Sequence, residues 1–418
     1  MANEDIQKLY QKRLDRVNKA IRLEPTDRVP LAPFFQSYMQ RSGGSSYKDI
    51  YYDFDKAAQA TIDFYKKYPM PDVAMTPLYC SGRANELAAT KVIDWPGRPG
   101  TKVSDFSSHQ VIELEPMLPE EYPEMLNDFT GFMIRKYIPR VYPNLKALEK
   151  ISITPTVVLS TTMLSPFYDP EVQTAMQLLA QIGEEDAKTA AASADIANKL
   201  AAMGYPTMMS GISEAPYDIL GDYFRGTMGI FEDLTDPDMA EYIDQACAMF
   251  AEQQIRALQY FRYVDMPVKR VFFPLHKAMD GFMNEKQFER FYWKPLKKIM
   301  MALIDMGVTP FIYTEGPYDN RIDMLTDVPK GKVLYHFEKC DMKRAKEKLS
   351  GIACISGNLS VSLMEFGTKE QVEDQVKYLL ETCAPGGGYI FDFNGSLENC
   401  KPENLDAMFN TFEKYCKY

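Results

Sequence analysis

From residue 207 onward the chain alternates between short apolar runs and segments of helical period, and this rhythm restricts the fold more than any other feature. The runs are Thr207-Met-Met-Ser-Gly-Ile212, Val271-Phe-Phe-Pro-Leu-His276, Val308-Thr-Pro-Phe-Ile-Tyr-Thr-Glu315, Lys332-Val-Leu-Tyr-His336, Ile352-Ala-Cys-Ile-Ser-Gly-Asn358 and Tyr389-Ile-Phe-Asp-Phe-Asn394. Helical segments follow them at about 230–263, 284–306, 318–327, 341–349, 368–383 and 402–415. Strands alternating with helices imply a parallel sheet joined by right-handed crossovers. Two earlier runs, Arg28-Val-Pro-Leu-Ala-Pro-Phe34 and Asp72-Val-Ala-Met-Thr-Pro77, bring the tally to eight strand–helix units. An amphipathic helix over the first 23 residues precedes the first run, and a helical stretch from Phe54 to Lys67 precedes the second.

Eight units favour closure into a (β/α)8 TIM barrel over an open sheet. An open sheet would also show a glycine-rich turn after its first strand, and Phe34-Phe-Gln-Ser-Tyr-Met is not one. The expected fold class is therefore α/β, a single barrel domain over 1–418 with an N-terminal helix. Between 78 and 205 the rhythm is lost, and this segment is expected to be a large insertion after the second strand. It ends in an Ala-rich helix from Pro170 to Met203. Within it, the uncharged stretch Ile151 to Tyr168 is too rich in Pro, Ser and Thr to cross a membrane, and is expected to fold as buried strand and loop.

Composition excludes several classes. A net charge of -11 argues against a nucleic-acid binder, which needs a basic face. The N-terminus is polar and helical from the start, unlike a signal peptide. The chain has seven cysteines, an odd number, and no Cys-x-x-Cys pair, which fits reduced thiols and a cytoplasmic location. No nucleophile elbow, P-loop, His-Glu-x-x-His or dinucleotide fingerprint occurs in a supporting context.

In a parallel barrel, residues just after a strand lie on the catalytic face and those just before one lie on the stabilising face. Gly386-Gly-Gly388 precedes the last strand, so it is expected to form a tight turn and not a phosphate loop. The chain has only three histidines, and two of them, His276 and His336, end apolar runs. Between these runs lies a third that ends in Glu315. Other ionisable or polar candidates at this end are Glu214, Asp218, Asp280, Glu338, Asn358 and Asn394. Residues two apart on a strand face the same side, so His336, Glu338 and the neighbouring Glu315 suit an N,O,O site for Zn2+ with one open position. Cys340 and Cys400 are fallback ligands. The competing reading of these residues is a hydrogen-bonded buried ion pair.

The stretches Asp27-Arg-Val-Pro30, Phe272-Phe-Pro-Leu-His-Lys-Ala-Met-Asp-Gly-Phe-Met283, Gln287-Phe-Glu-Arg-Phe-Tyr292, Gly357-Asn358, Gly387-Gly-Tyr-Ile390 and Lys401-Pro-Glu-Asn404 resemble the uroporphyrinogen decarboxylase superfamily. The resemblance spans most of the chain, 78–205 excepted, and implies a (β/α)8 barrel. True decarboxylases carry Arg-x-x-x-Arg after the first strand and an Asp after the second. Here the first region has only Arg41, and the second, Asp72-Val-Ala-Met-Thr-Pro-Leu-Tyr-Cys80, has no carboxylate at its end.

The other branch of the superfamily is the cobalamin-dependent methyltransferases. Members that methylate coenzyme M bind zinc through His-x-Cys and a later Cys. The corresponding positions here are His336, Glu338 and about Asn394. Oxygen ligands would leave zinc more electrophilic, which favours the O-demethylating members acting on methoxylated aromatics. The resemblance thus implies a methyl donor in the barrel mouth, cobalamin presented by a partner corrinoid protein, and a homodimer. We assign His276, Glu315 and Asp280 to catalysis, and Glu214, Tyr217, Asn358 and Asn394 to substrate binding. The metal ligands would be His336, Glu338 and Glu315. The alternatives are a lyase acting on a carboxylated substrate, with an anion site built from Arg225, Lys277 or Arg321, and a non-catalytic module that binds a tetrapyrrole or a corrinoid protein.

Overall fold

A computed structural model describes residues 3–417. A two-stranded antiparallel hairpin, β1 (Ile93–Asp94) and β2 (Gln110–Val111), stands apart from the main sheet. The main sheet has six strands: β3 (Gly211–Ile212), β4 (Arg270–Leu275), β5 (Thr309–Pro317), β6 (Leu334–Lys339), β7 (Cys354–Ser356) and β8 (Tyr389–Ile390). All are parallel and run in chain order from β3 to β8.

The two strands expected at the N-terminal end are reduced to single bridges, Leu31 to Phe391 beyond β8 and Ala74 to Thr207 before β3. The Asp72 N–H donates to the Leu31 carbonyl at 2.8 Å, linking the two bridged segments. The continuous ladder is therefore six strands wide, and among the described residues it does not close. Prolines explain why: positions 30, 33, 71 and 77 have no N–H to give a ladder.

Helices follow the sequence pattern closely, at Asn3–Ile21, Phe54–Lys67, Pro170–Ala201, Met342–Leu349, Lys369–Cys383 and Pro402–Tyr415. Their starts are set by side chains that accept first-turn N–H groups: Asp53, Asp169, Asp341, and Thr368 in a capping box with Gln371. The triple glycine forms the turn ahead of β8, where it was expected, with φ of 78°, 73° and 67°.

One expectation fails outright. Ile151–Tyr168 is neither strand nor buried; Val158 is 101% and Leu159 96% exposed, and Thr162–Tyr168 forms a 3-10 turn. Lack of charge does not bury it, because Pro155 and Pro166 and the hydroxyl-rich sequence deny it a ladder. Among the described residues no helix is long and apolar enough to cross a membrane.

A buried charge cluster pins the N-terminal helix beneath the sheet. Arg16 donates to Asp27 at 2.6 and 2.7 Å and also to Asp72, which is fully buried. Arg28 donates to Asp72 at 3.0 Å, and the Leu31 N–H does so at 2.9 Å. The hydrogen bond from Arg16 holds the Asp27 carboxyl down at about 2. The Asp27-Arg-Val-Pro30 motif is thus a structural clamp.

Candidate active site

The parallel register places one residue from each of five strands in a single layer: Pro274, Tyr313, His336, Ser356 and Ile390. Two residues further along, toward the C-terminal ends, come His276, Glu315 and Glu338. This difference in depth separates the predicted ligands.

His336 belongs to the deeper layer and is completely buried. Its ring stacks on Tyr313 at 4.1 Å and 3°, and its Nδ1 lies 3.2 Å from both Ser356 Oγ and Asp392 Oδ2. Burial raises the Asp392 carboxyl, while the bond to His336 opposes that rise. Asp392 also accepts the N–H groups of Phe34 at 2.8 Å and Phe393 at 2.7 Å. His336 is thus the hydrogen-bonded buried pair of the competing reading, with a partner, Asp392, that sequence reasoning passed over in favour of Asn394.

Glu338 and Glu315 lie above, lining a cavity of about 470 Å³ at the mouth of the sheet. The Gly316 N–H donates to the Glu338 carboxylate. Among the described residues, no three His, Cys, Asp or Glu side chains are grouped closely enough to hold a metal. A carboxylate on Nδ1 is what orients a metal-ligating histidine, and His336 Nε2 has no protein partner. That is one donor. Glu315 and Glu338 do not join it, so the residues present do not fit a zinc site.

His276 sits immediately after β4, beside the cavity, and the structure builds a network around it. Its Nδ1 lies 2.6 Å from Asp222 Oδ2, and its Nε2 faces Glu315 Oε1 at 3.9 Å. The backbone N–H of His276 donates to Asp218 Oδ2 at 3.0 Å and that of Lys277 donates to Asp218 Oδ1 at 2.9 Å. Tyr292 Oη also donates to Asp218, and Lys277 Nζ to Asp222.

Burial alone would lower the imidazole, but the Asp222 hydrogen bond and the surrounding carboxylates outweigh it and raise His276 to about 9. Burial chiefly raises Asp218 to about 6 and Glu214 to about 7, and it raises Glu315 as well. The site therefore favours a protonated imidazole on Asp222, whose own carboxyl is held down by His276 and Lys277, with the raised carboxyls of Asp218, Glu214 and Glu315 around it.

Asp222 was missed, although carboxylates at 214, 218 and 222 repeat every four residues. The helix there widens to π turns over Leu220–Arg225, and both Asp218 and Asp222 meet His276 and Lys277.

The other predicted residues are elsewhere. Asp280 accepts the Asn320 N–H at 2.9 Å and lies 3.7 Å from Arg321, bracing the loop after β4. Asn358 donates to the Cys340 carbonyl at 3.0 Å, and Asn394 accepts the Val361 N–H at 2.9 Å; both tie loops together. Tyr217 is fully buried against Tyr292. Glu214 lines a neighbouring cavity of about 400 Å³ that shares Ile212 with the mouth.

The cations named for an anion site are also engaged. Arg225 is buried on Asp233 and Glu115, Lys277 is on Asp222, and Arg321 donates to the carbonyls of Ala278 and Met283. Among the described residues no Lys or Arg lines the mouth cavity, whose walls include Phe34, Met75, Met209, Phe272 and Tyr313.

The model of the uroporphyrinogen decarboxylase family matches residues 166–415. The chain belongs to that family. The match begins inside the 78–205 segment, at the approach to its long helix. A solved structure of a methyltransferase from Methanosarcina mazei shares the fold, with a TM-score of 0.56 at 15% identity, over 96% of this chain and 98% of that one. No curated protein matches in sequence.

Proposed function

We propose that this member of the family is a methyltransferase that takes a methyl group from a small methoxylated aromatic and passes it to the corrinoid of a separate protein. The observation that carries the reading is His276, held through Nδ1 by Asp222 at 2.6 Å and turned by Nε2 to Glu315, beside an aromatic and Met-lined mouth that has no Lys or Arg among the described residues. Family membership and the likeness to a methyltransferase agree with it. A polycarboxylate substrate would need several fixed cations at the mouth, so the decarboxylase alternative lacks support.

The corrinoid, when bound, supplies the cobalt nucleophile. The exposed Leu78 and Ile212, each 57% accessible, give the mouth an apolar rim suited to the face of a corrin. The chain itself supplies positioning and a proton. An unassisted phenolate is a poor leaving group, so the departing oxygen needs its charge offset as the C–O bond breaks. His276 Nε2–H, facing Glu315 at the cavity wall, passes its proton to that oxygen, and the product leaves as a neutral phenol. Asp222 holds Nδ1 and stabilises the imidazolium between turnovers. No step is assigned to zinc.

The family resemblance also suggests a homodimer, and the cysteine pattern a cytoplasmic location. The test of the activity is spectroscopic: enzyme, a reduced corrinoid protein and a methoxylated phenol should convert cob(I)alamin to methylcobalamin. Failure of that conversion with aryl ethers would sink the O-demethylase reading.

A further inference from the structure

Beside the mouth lies a second cavity of about 290 Å³ that the proposed chemistry leaves unused. The two share Gln36 and Leu78 as a common wall. An apolar cavity on the order of 150 Å³ holds benzene, so this chamber has room for a ring and its substituents.

Three observations define what it accepts. First, among the described residues no Asp, Glu, Lys or Arg lines it. Burial pulls His109 down and pushes Cys80 up, so both are neutral near pH 7. His109 Nδ1 is paired with Tyr51 Oη at 3.0 Å. Glu398 and Arg41 act on Tyr47 from outside the lining, so an ion entering would be desolvated without a direct partner on the wall.

Second, two hydroxyls on its wall, Ser37 Oγ and Tyr47 Oη, are buried without a hydrogen-bond partner, in residues only 5% and 4% exposed. Ser37 and Glu398 lie near enough to Tyr47 to bias its ionisation without completing a bond. Buried hydroxyls left unpaired are costly, and each can both donate and accept.

Third, the common wall is strained. Gln36 is a non-glycine residue at φ 35°. The Gln40 amide, oriented to satisfy both its ends, donates to the Gln36 carbonyl at 2.7 Å and accepts from Thr61 at 3.1 Å, holding the turn in place. Strain of this kind collects where a ligand must be clasped.

We propose that this chamber binds the neutral ring of a phenol-type compound, with Tyr47 and Ser37 hydrogen-bonding its ring oxygen. The inference deepens the methyl-donor reading, on which it rests for the class of compound that arrives, but the binding itself is measurable without turnover.

The test uses 4-bromophenol soaked into crystals of the full chain, with bromine located by anomalous scattering, and calorimetric binding of the same probe in solution. The phenol oxygen is expected on Tyr47 and Ser37, with the bromine, para to it, at the opposite end of the ring inside this chamber. Tyr47→Phe combined with Ser37→Ala should weaken binding about tenfold, several-fold for each lost neutral hydrogen bond. The double variant removes two unpaired hydroxyls, so its melting temperature should not fall. Bromine confined to the mouth, no bound bromine, or unchanged affinity in the folded double variant would each overturn the proposal. If the double variant does not fold, the bromine position decides. A filled chamber without methyl transfer would remove the methyltransferase reading and leave the chamber. Methyl transfer with an unchanged KM in the double variant would do the reverse.

Discussion

Asp222→Asn is the most informative single change. His276 titrates near 9 against an ordinary 6.5, a gap that corresponds to roughly 3 kcal/mol at ~1.36 kcal/mol per pH unit. Asp222 supplies the hydrogen bond to Nδ1, the largest raising influence, and shares the rest with Asp218 and Glu315. Neutralising it should lower the His276 value by about one to two units, or about 1.4–2.7 kcal/mol of interaction. Because the folded value lies above the unfolded one, the stabilisation is complete below about pH 6.5 and is lost as pH rises through about 9. In the variant that loss should again begin near pH 6.5 but be complete by about pH 7–8. The assay is an NMR titration of the imidazole carbon-bound protons, which three histidines make simple, with His276→Gln to assign the signal. Asp222→Asn also strips the buried Lys277 of its counter-charge, so melting curves must accompany the titration. A His276 value that stays near 9 in a folded Asp222→Asn protein would refute the network.

Glu214→Gln should stabilise the protein at pH 8 by about 1–2 kcal/mol and have little effect near pH 4, because a carboxyl raised to about 7 costs stability as pH rises from the unfolded value of 4.5 through about 7; thermal melts at the two pH values test this. Asp72→Ala leaves Arg16 and Arg28 facing an empty buried site and should cost roughly 3–5 kcal/mol in urea unfolding, with no change in ligand binding at the mouth. His336→Ala should lower stability through the loss of its Asp392 pair and leave the zinc content of the purified protein unchanged by elemental analysis; a drop of one zinc per chain would show that the three side chains do converge.

The helices were readable because their signals are local. Asp53, Asp169 and Thr368 announce helix starts, and the apolar spacing does the rest. Leu31 and Ala74 marked the right places for two more strands, but strand identity depends on ladder partners, and the nearby prolines leave only bridges. His276 was recognisable as a strand-tip residue. Asp222 and Asp392 were not, since one lies 54 residues from its partner and the other sits on a strand read for its apolar side chains. Depth was not legible: alternation along a strand fixes the face a residue shares, and His336 shares that face with Glu338 but lies a layer below it. Ile151–Tyr168 shows the converse, an uncharged stretch that remains on the surface.

Proton donation by His276 is tested most directly by the pH dependence of methylcobalamin formation. The enzyme is mixed with a reduced corrinoid protein and a methoxylated phenol, and the loss of the cob(I)alamin absorption is followed from pH 7 to 10. The corrinoid should be methylated, with a rate that falls as pH rises through about 9 and His276 gives up its proton. Methylation at a rate flat across that range would contradict proton donation by His276, and no methylation from aryl ethers, methylamines or betaines would contradict the methyltransferase itself.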